Sequence, residues 1–464
     1  MAGAELLADL RALVGEQGVV TGERLTGRVY DEHVGSVRAK VLVRPVDTAQ
    51  VCAVLRLCHE RRQPVVPHGG LTGLVHGGVA SEGELILSLE AMNRIESVDV
   101  TGRTMRVEAG VTLQRVQEEA ERFSLMFPLD LGARGTATIG GNIATNAGGM
   151  RVVRFGMMRS LVLGAEVVLA DGTVLCSLNR MLKNNAGYDL KHLFIGTEGT
   201  LGIVTRADLR LASRPGSSCS AFVACPHFAA MAQLVGMLDA RLGGQLSAFE
   251  ALWPQFYELT TTAPARSAPI LPYGHGMYAL IETLGAEPGT DQQRFERVLA
   301  DAMDSGLVVD AVIAKSEAER HAMWAPREDV FQMNRYGPSH SFDVSLSIAD
   351  MPRYLDTMQR ALEDRVPGAK TFVFGHVADG NLHISVCTGD AGRHAATFAA
   401  VERCVYEPLR SIAGSISAEH GIGLERKAYL EISRTGAEIA TMRALKAALD
   451  PRGILNPGKV IDVH

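Results

Sequence analysis

The chain has 464 residues, with 46 Lys+Arg against 52 Asp+Glu and a formal net charge of −6 at neutral pH. That length allows two or three domains around a substantial core, and 47% hydrophobic against 21% charged residues is an ordinary globular mix that excludes a disordered polymer. The mild acidity offers no dominant cationic field for nucleic acid or an anionic membrane, and the 48 glycines exceed the usual ~7% and cluster.

Seven cysteines, an odd number without a Cys-x-x-Cys, argue for buried thiols in a reducing compartment. Glu5 and Asp9 interrupt the N-terminal run, so no export signal is read there. The longest uncharged stretch, 215–238, holds two prolines, serines and a histidine. It reads as a strand at Ser220–Ala224 followed by a helix, not as a membrane span. The expectation is a soluble cytoplasmic protein with no transmembrane segment.

In chain order, residues 1–35 read as helical and then irregular, and Val41–Pro45 as a short strand. Asp47-Thr48 can cap a helix reaching about Gln63, with Val51, Val54, Leu55 and Cys58 on one face. Pro64–Pro67, Leu85–Leu89 and Thr104–Glu108 read as strands and Leu113–Phe123 as a helix. Leu161–Leu175 reads as a hairpin turning at Asp171-Gly172. Composition changes at Arg214–Ser218. Beyond it come a strand at Met277–Ile281, helices near 290–306 and 351–365, a strand at Thr371–Gly375 and a helix over 392–412. This order suggests an α+β layer of helices on an antiparallel sheet. Residues 436–464 read as a helix followed by an irregular tail.

Four clusters carry candidate chemistry. The first is Pro67-His-Gly-Gly-Leu-Thr-Gly-Leu-Val-His-Gly-Gly78, directly after a strand. Its glycines let backbone N–H groups crowd an anion, and the alternative is a glycine-rich hairpin with no ligand. The second, Asp130–Gly149, is dense in small and amide residues. That composition suits either close backbone contact with a flat polar ligand or a small-residue helix packed tightly on a sheet. The third is Asn184–Leu190 with Gly196–Val204, whose backbone groups could hydrogen-bond a ring or ribose. The fourth is Gly375-His-Val-Ala-Asp-Gly-Asn-Leu-His383 with Ser417-Ala-Glu-His-Gly-Ile-Gly423. Asp379-Gly380-Asn381 signals a turn, so a hairpin can bring His376 and His383 together. With Glu419 they make a first shell for zinc or manganese, the alternative being two satisfied histidines in a polar turn. His420, next to Glu419, is the candidate for proton transfer. Gly453–Val460 is a decoy for a nucleotide-binding loop: Val460 stands where Ser or Thr is needed, and Pro457 interrupts it.

The first three clusters, in this order, resemble the FAD-binding domain of the vanillyl-alcohol-oxidase-type flavoproteins, the FAD-linked oxidase family, over roughly residues 37–214. The resemblance implies FAD, with Gly69, Gly70, Leu71, Thr72 and Gly73 on the pyrophosphate and Pro67 also binding the cofactor. Pro128, Asp130, Thr138, Gly141, Asn142, Thr145 and Ile203 fall around the flavin, and Asn456 of the tail touches it. Covalent members carry His where this chain has Leu71, which implies non-covalent FAD.

The fourth cluster resembles the C-terminal domain of the FAD-linked D-2-hydroxy acid dehydrogenases, a branch acting on D-lactate, glycolate or D-2-hydroxyglutarate. It implies an α+β fold of two parts. A flavin domain of two α+β subdomains spans 1–214, and a substrate- and metal-binding cap, an antiparallel sheet flanked by helices, spans 215–435. Residues 436–464 then return to the flavin domain. The reaction implied is oxidation of a D-2-hydroxy acid to the 2-oxo acid, with hydride passing to flavin N5. The roles implied are His420 as base, Arg327 for the substrate carboxylate, Asn381 for its hydroxyl, and His376, His383 and Glu419 on the metal. Read from the residues alone, Arg327 also suits a surface helix cation and Asn381 a left-handed turn residue. An electron-transfer flavoprotein, a quinone or a cytochrome would take the electrons, and a homodimer is the default assembly. Dehydrogenases for D-2-hydroxyglutarate carry a Lys where this chain has Ser341, which leans the reading toward a monocarboxylic or broad-range substrate. The competing readings are a strict D-2-hydroxyglutarate enzyme, a His/His/Glu metallohydrolase and a flavin-binding electron-transfer module.

Overall fold

The computed structural model describes residues 3–25, 29–31, 35–389 and 394–462. Parts of the irregular stretch expected up to residue 35, and the start of the helix expected from 392, lie outside the described residues. By its contacts the chain divides into two units, Met1–Gly149 with Gly156–Arg214 and Glu419–His464, and Met150–Phe155 with Pro215–Ala418. Residues 419–435, expected with the second block, belong to the first unit.

The first unit contains two sheets that organise the site. A four-stranded sheet has the order Val19–Thr21, Val41–Val43, Leu85–Ser88, Val65–His68. Its last three strands are parallel, which requires a crossover. The helix Thr48–Arg61 provides it: Asp47 caps it by accepting from Gln50 N, and Val51, Val54, Leu55 and Cys58 are its buried face. That face packs into one core with Val43, Val65 and Leu87. A five-stranded antiparallel sheet follows, ordered Val174–Cys176, Val162–Val168, Ile203–Arg210, Thr104–Glu108, Ile95–Asp99. The hairpin of its first two strands turns at Asp171-Gly172 (Gly172 φ 82°).

The second unit is one seven-stranded antiparallel sheet. Its order is Asp310–Ile313, Ser217–Cys225, Met277–Gly285, Leu246–Leu252, Lys370–Gly375, Asn381–Cys387, Ser339–Ser345. Helices Phe228–Arg241, Pro288–Asp304, Glu317–Glu328, Met351–Arg365 and Ala395–Tyr406 accompany it. The helix expected to run to 412 stops at Tyr406 and continues as a tighter 3-10 segment, Glu407–Ile412, where Pro408 has no N–H for a helical ladder. Among the described residues no helix is long and apolar enough to cross a membrane. All seven cysteines are free thiols.

Candidate active site

In the first unit a cavity of about 380 Å³ opens beside the glycine loops. It is lined by Pro67 and the loop Gly69–Gly73, by Thr138, Gly141, Asn142 and Thr145, and by Ile203, Asn456, Glu198, Glu419 and His420. The strand Val65–His68 delivers the first loop, and His68 Nε2 lies 2.7 Å from Gly78 O, tying the loop's two ends together. Glycine is obligatory at position 70, where a Cβ would stand 2.0 Å from Thr136 O. Leu71 sits in the left-handed region at φ 56°.

The second cluster forms a tightly packed short helix and also contributes to the cavity wall. Thr138 caps the short helix Ile139–Ala144 by accepting from Gly141 N. Gly140 packs on the sheet so closely that a Cβ would meet Ala109 Cβ at 2.7 Å. Gly141, Asn142 and Thr145 meanwhile line the cavity. Pro128 and Asp130, expected around the flavin, are not among the lining residues. The Asp130 carboxylate instead accepts from Arg134 at 3.0 Å, and its carbonyl lies against Gly149, where a Cβ would be 2.0 Å away. The loop Asn184–Leu190, expected near a ring or ribose, is exposed and lines no part of the cavity, with Tyr188 95% exposed.

Glu198 was not singled out by sequence. It stands buried in the cavity wall, and its carboxylate accepts from Ile422 N at 2.7 Å and Gly423 N at 2.9 Å. Burial pushes this carboxyl above its usual range, against the lowering effect of those two N–H groups and of Arg426. The same contact holds the turn Glu419–Gly423, where a Cβ at Gly421 would fall 2.7 Å from Glu198 Oε1. Gly148 leaves room for the Glu419 carboxylate, since a Cβ there would lie 2.6 Å from Glu419 Oε1. Buried Arg426 donates from Nη2 to His420 Nδ1 at 3.2 Å. A guanidinium only donates, so Nδ1 is the acceptor in this contact. The C-terminal tail enters beside these groups. Leu455 bridges Val65 in parallel, and Asn456 Nδ2 donates to Gly77 O at 3.0 Å and Glu198 O at 2.7 Å.

In the second unit the expected hairpin is present. Lys370–Gly375 and Asn381–Cys387 pair antiparallel through a turn with Gly380 at φ 87°, and the His376 and His383 rings are 5.2 Å apart at 82°. The left-handed residue is Gly380 and not Asn381, which begins the strand. Asn381 is buried and donates to Asp343 Oδ1 at 2.8 Å and Val344 O at 3.0 Å, while its own Oδ1 has no protein partner. Arg327 is a largely buried cation, its side chain 14% exposed, rather than a surface one. It donates from Nε to Glu250 Oε2 at 2.6 Å and lies 4.5 Å over the Phe374 ring. Glu250 also meets His376 Nδ1 at 2.5 Å. Burial alone would raise the Glu250 carboxyl, but His376 and Arg327 together hold it at about 2. Burial pushes neighbouring Asp379 up to about 6. Ser341 is exposed with Oγ 3.4 Å from Ser385 Oγ. Glu250 was missed although it carried a signal, a lone carboxylate inside the apolar run Leu246–Leu252.

Comparisons with known proteins give the family. Residues 39–177 match an FAD binding domain, and residues 214–460 match the C-terminal domain of FAD linked oxidases. The chain belongs to the FAD-linked oxidase family. It is 41% identical to the mitochondrial D-2-hydroxyglutarate dehydrogenase of Bos taurus over 92% of this chain and 77% of that one. It is also 41% identical to the D-2-hydroxyglutarate dehydrogenase of Xanthomonas citri pv. viticola, over 90% of this chain and 89% of that one. Substrate-bound p-cresol methylhydroxylase shares the fold at a TM-score of 0.78 and 17% identity, covering 98% of this chain and 96% of the other. The fold is that of the vanillyl-alcohol-oxidase-type flavoproteins, and the chain is an FAD-binding oxidoreductase, which sets the hydrolase reading aside.

The cavity fits FAD on its own features. Asn142 Nδ2 and Asn456 Oδ1 are buried cavity-lining atoms with no protein partner. Buried polar groups are normally satisfied, so both are aimed at a polar ligand. A Cβ on Gly141 would touch only Thr138 Oγ1, at 3.3 Å, so glycine there keeps cavity space open.

Proposed function

We propose that the protein oxidises a D-2-hydroxy acid to the corresponding 2-oxo acid with non-covalent FAD and a divalent ion, and passes the electrons to a separate acceptor. The observation that carries this reading is His420 and Glu419 lining the same cavity as the flavin-binding loops and Asn456. FAD bound in the cavity would supply the hydride-accepting chemistry for the C2 hydrogen. A divalent ion, zinc or manganese, held by His376, His383 and Glu419 would supply acidification of the substrate hydroxyl, as zinc lowers the pKa of bound water from ~15.7 to ~7.

The protein's part is placement and proton transfer. His376, His383 and Glu419 supply two imidazoles and a carboxylate, a donor set suited to zinc or manganese. Glu250 accepts from His376 Nδ1, which leaves Nε2 as the ligating nitrogen. His420 takes the hydroxyl proton at Nδ1, where the substrate hydroxyl replaces the Arg426 N–H. Arg327 spends only Nε on Glu250, so its terminal nitrogens suit a carboxylate in two contacts. Asn381 orients the substrate hydroxyl. The free thiols suit the cytoplasm. An electron-transfer flavoprotein, a quinone or a cytochrome is the proposed acceptor, and a homodimer the proposed assembly.

The test is anaerobic bleaching of the flavin band by D-lactate, L-lactate, D-2-hydroxyglutarate, D-malate and longer D-2-hydroxy acids, added one at a time. Bleaching by D-acids alone is expected. A yellow protein that no hydroxy acid reduces would end the proposal.

The names of the relatives favour D-2-hydroxyglutarate, and Ser341 argues against strict dependence on a second carboxylate. Arg335, a cation of the same unit, donates to the carbonyls of Leu259 and Ala263 instead. Placing a Lys there adds a charge-assisted contact worth roughly 1.5–3 kcal/mol. Ser341→Lys is therefore expected to raise kcat/KM for D-2-hydroxyglutarate relative to D-lactate about tenfold or more. An unchanged ratio from steady-state assays would remove position 341 from substrate selection.

A further inference from the structure

Glu250 sits in the middle of the strand Leu246–Leu252, whose residues are all buried. A fully buried carboxylate is costly unless every lone pair is used. Here the two oxygens go to two different functional groups. Oε1 is 2.5 Å from His376 Nδ1 and Oε2 is 2.6 Å from Arg327 Nε. The Arg327 guanidinium and the His383 ring share a second support in the same place. Phe374, one of the residues leading into His376, lies under the Arg327 guanidinium at 4.5 Å and packs on the His383 ring at 5.1 Å between centroids. The sheet register fixes this geometry, because Ala251 pairs with Gly375 and Phe374 with His383.

We infer that Glu250 is a positioning residue that makes the metal ligand His376 and the carboxylate-binding Arg327 one mechanical unit. The inference rests on the reading proposed above. A carboxylate only accepts, so it keeps the His376 proton on Nδ1 and presents Nε2 to the ion. On the other side it takes the Nε of Arg327 and fixes the plane of the guanidinium, leaving the terminal nitrogens for the substrate carboxylate. Metal affinity and substrate affinity are thereby set by one side chain that touches neither metal nor substrate.

Glu250→Gln keeps the size of the side chain and removes one of its two acceptor oxygens. The expected result is a double loss. Affinity for Zn²⁺, titrated into metal-stripped protein against a competing chelator, falls roughly 10–100-fold, the usual effect of losing the partner of a ligating histidine. KM for the D-acid that bleaches the flavin fastest rises about tenfold at saturating Zn²⁺, FAD content staying at the wild-type level. Arg327→Met should raise KM in the same way while Zn²⁺ affinity stays within about threefold of wild type. Glu250→Asp, which keeps the charge on a shorter stem, should recover part of both losses, and it carries the same reading if the Gln variant does not accumulate as folded protein. A Glu250→Gln or Glu250→Asp enzyme that matches wild type in Zn²⁺ affinity, or loses only stability, overturns the inference alone. A wild-type enzyme that binds no divalent ion overturns the metal reading of the site, and the inference with it.

Discussion

His420→Ala is expected to yield a yellow protein with its full complement of FAD and almost no turnover. Removal of a positioned proton acceptor typically costs 10²–10⁴-fold, and kcat should fall into that range. The relevant groups all lie in the first unit. His420 lines the cavity, yet the groups proposed to hold the cofactor are elsewhere on its wall, in the Gly69–Gly73 loop, the helix Ile139–Ala144 and Asn456. The turn that carries His420 is anchored by Glu198 through the backbone of Ile422 and Gly423, so truncating the imidazole leaves its support intact. Loss of turnover with unchanged flavin absorbance is therefore the signature of chemistry, and loss of both would signal a structural role. Rapid mixing with the best D-acid makes the distinction sharper: the variant's flavin should reduce slowly in the first turnover, not only in the steady state. A His420→Ala enzyme that turns over near the wild-type rate would exclude His420 as the base. It would also favour a module that only relays electrons.

What the sequence made legible was set locally. The strand Thr104–Glu108 and the helix Met351–Arg365 lie where their patterns predict, and Asp47 caps the helix expected of it. The hairpin carrying His376 and His383 followed from Asp379-Gly380-Asn381, because a turn residue acts over a few positions. The glycine loops were legible because close backbone approach admits no Cβ. The parts that escaped depend on partners far along the chain. Asp130 looks like a cavity residue in sequence, but it is not among the lining residues and its carboxylate accepts from Arg134 across a turn. Glu198 earns its place only through the N–H groups of Ile422 and Gly423, more than two hundred residues on, which no local pattern encodes. Glu250 and Arg327 meet through sheet register and helix placement, again a tertiary outcome. The loop Asn184–Leu190 shows the opposite case, a local pattern open to two outcomes. Its Asn, Gly and Asp residues make a turn as readily as a ligand contact, and here it is an exposed turn.

Lys446→Met should produce the largest loss of stability among single changes outside the site, and should weaken flavin binding as a consequence. Lys446 lies in the helix Gly436–Leu449, with its side chain 4% exposed. Its three N–H donors are all used: Nζ donates to Thr200 O at 2.7 Å, Leu455 O at 2.7 Å and Asp450 Oδ2 at 2.6 Å. Desolvation pulls this amine below the usual lysine range, an effect Asp450 opposes. Methionine fills similar volume and supplies none of the bonds. It leaves Asp450, fully buried, without its cation, and removing one partner of a buried ion pair costs about 3–5 kcal/mol. Asp450 also accepts from Ile454 N and Leu455 N, so the turn into the tail depends on it. The next residue, Asn456, is the one whose Nδ2 ties Gly77 to Glu198 at the cavity wall. A thermal melt should therefore show a fall of roughly 5 °C or more for the unit that holds the tail. FAD release, followed by recovery of free-flavin fluorescence on dilution, should begin at lower temperature than in wild type. Lys446→Arg should not restore it, because a planar five-donor fork cannot replace a compact ammonium among three converging acceptors. Wild-type melting together with wild-type flavin retention in Lys446→Met would show that the tail is held by its backbone pairing with Val65 and the packing of Leu455, and not by this buried charge.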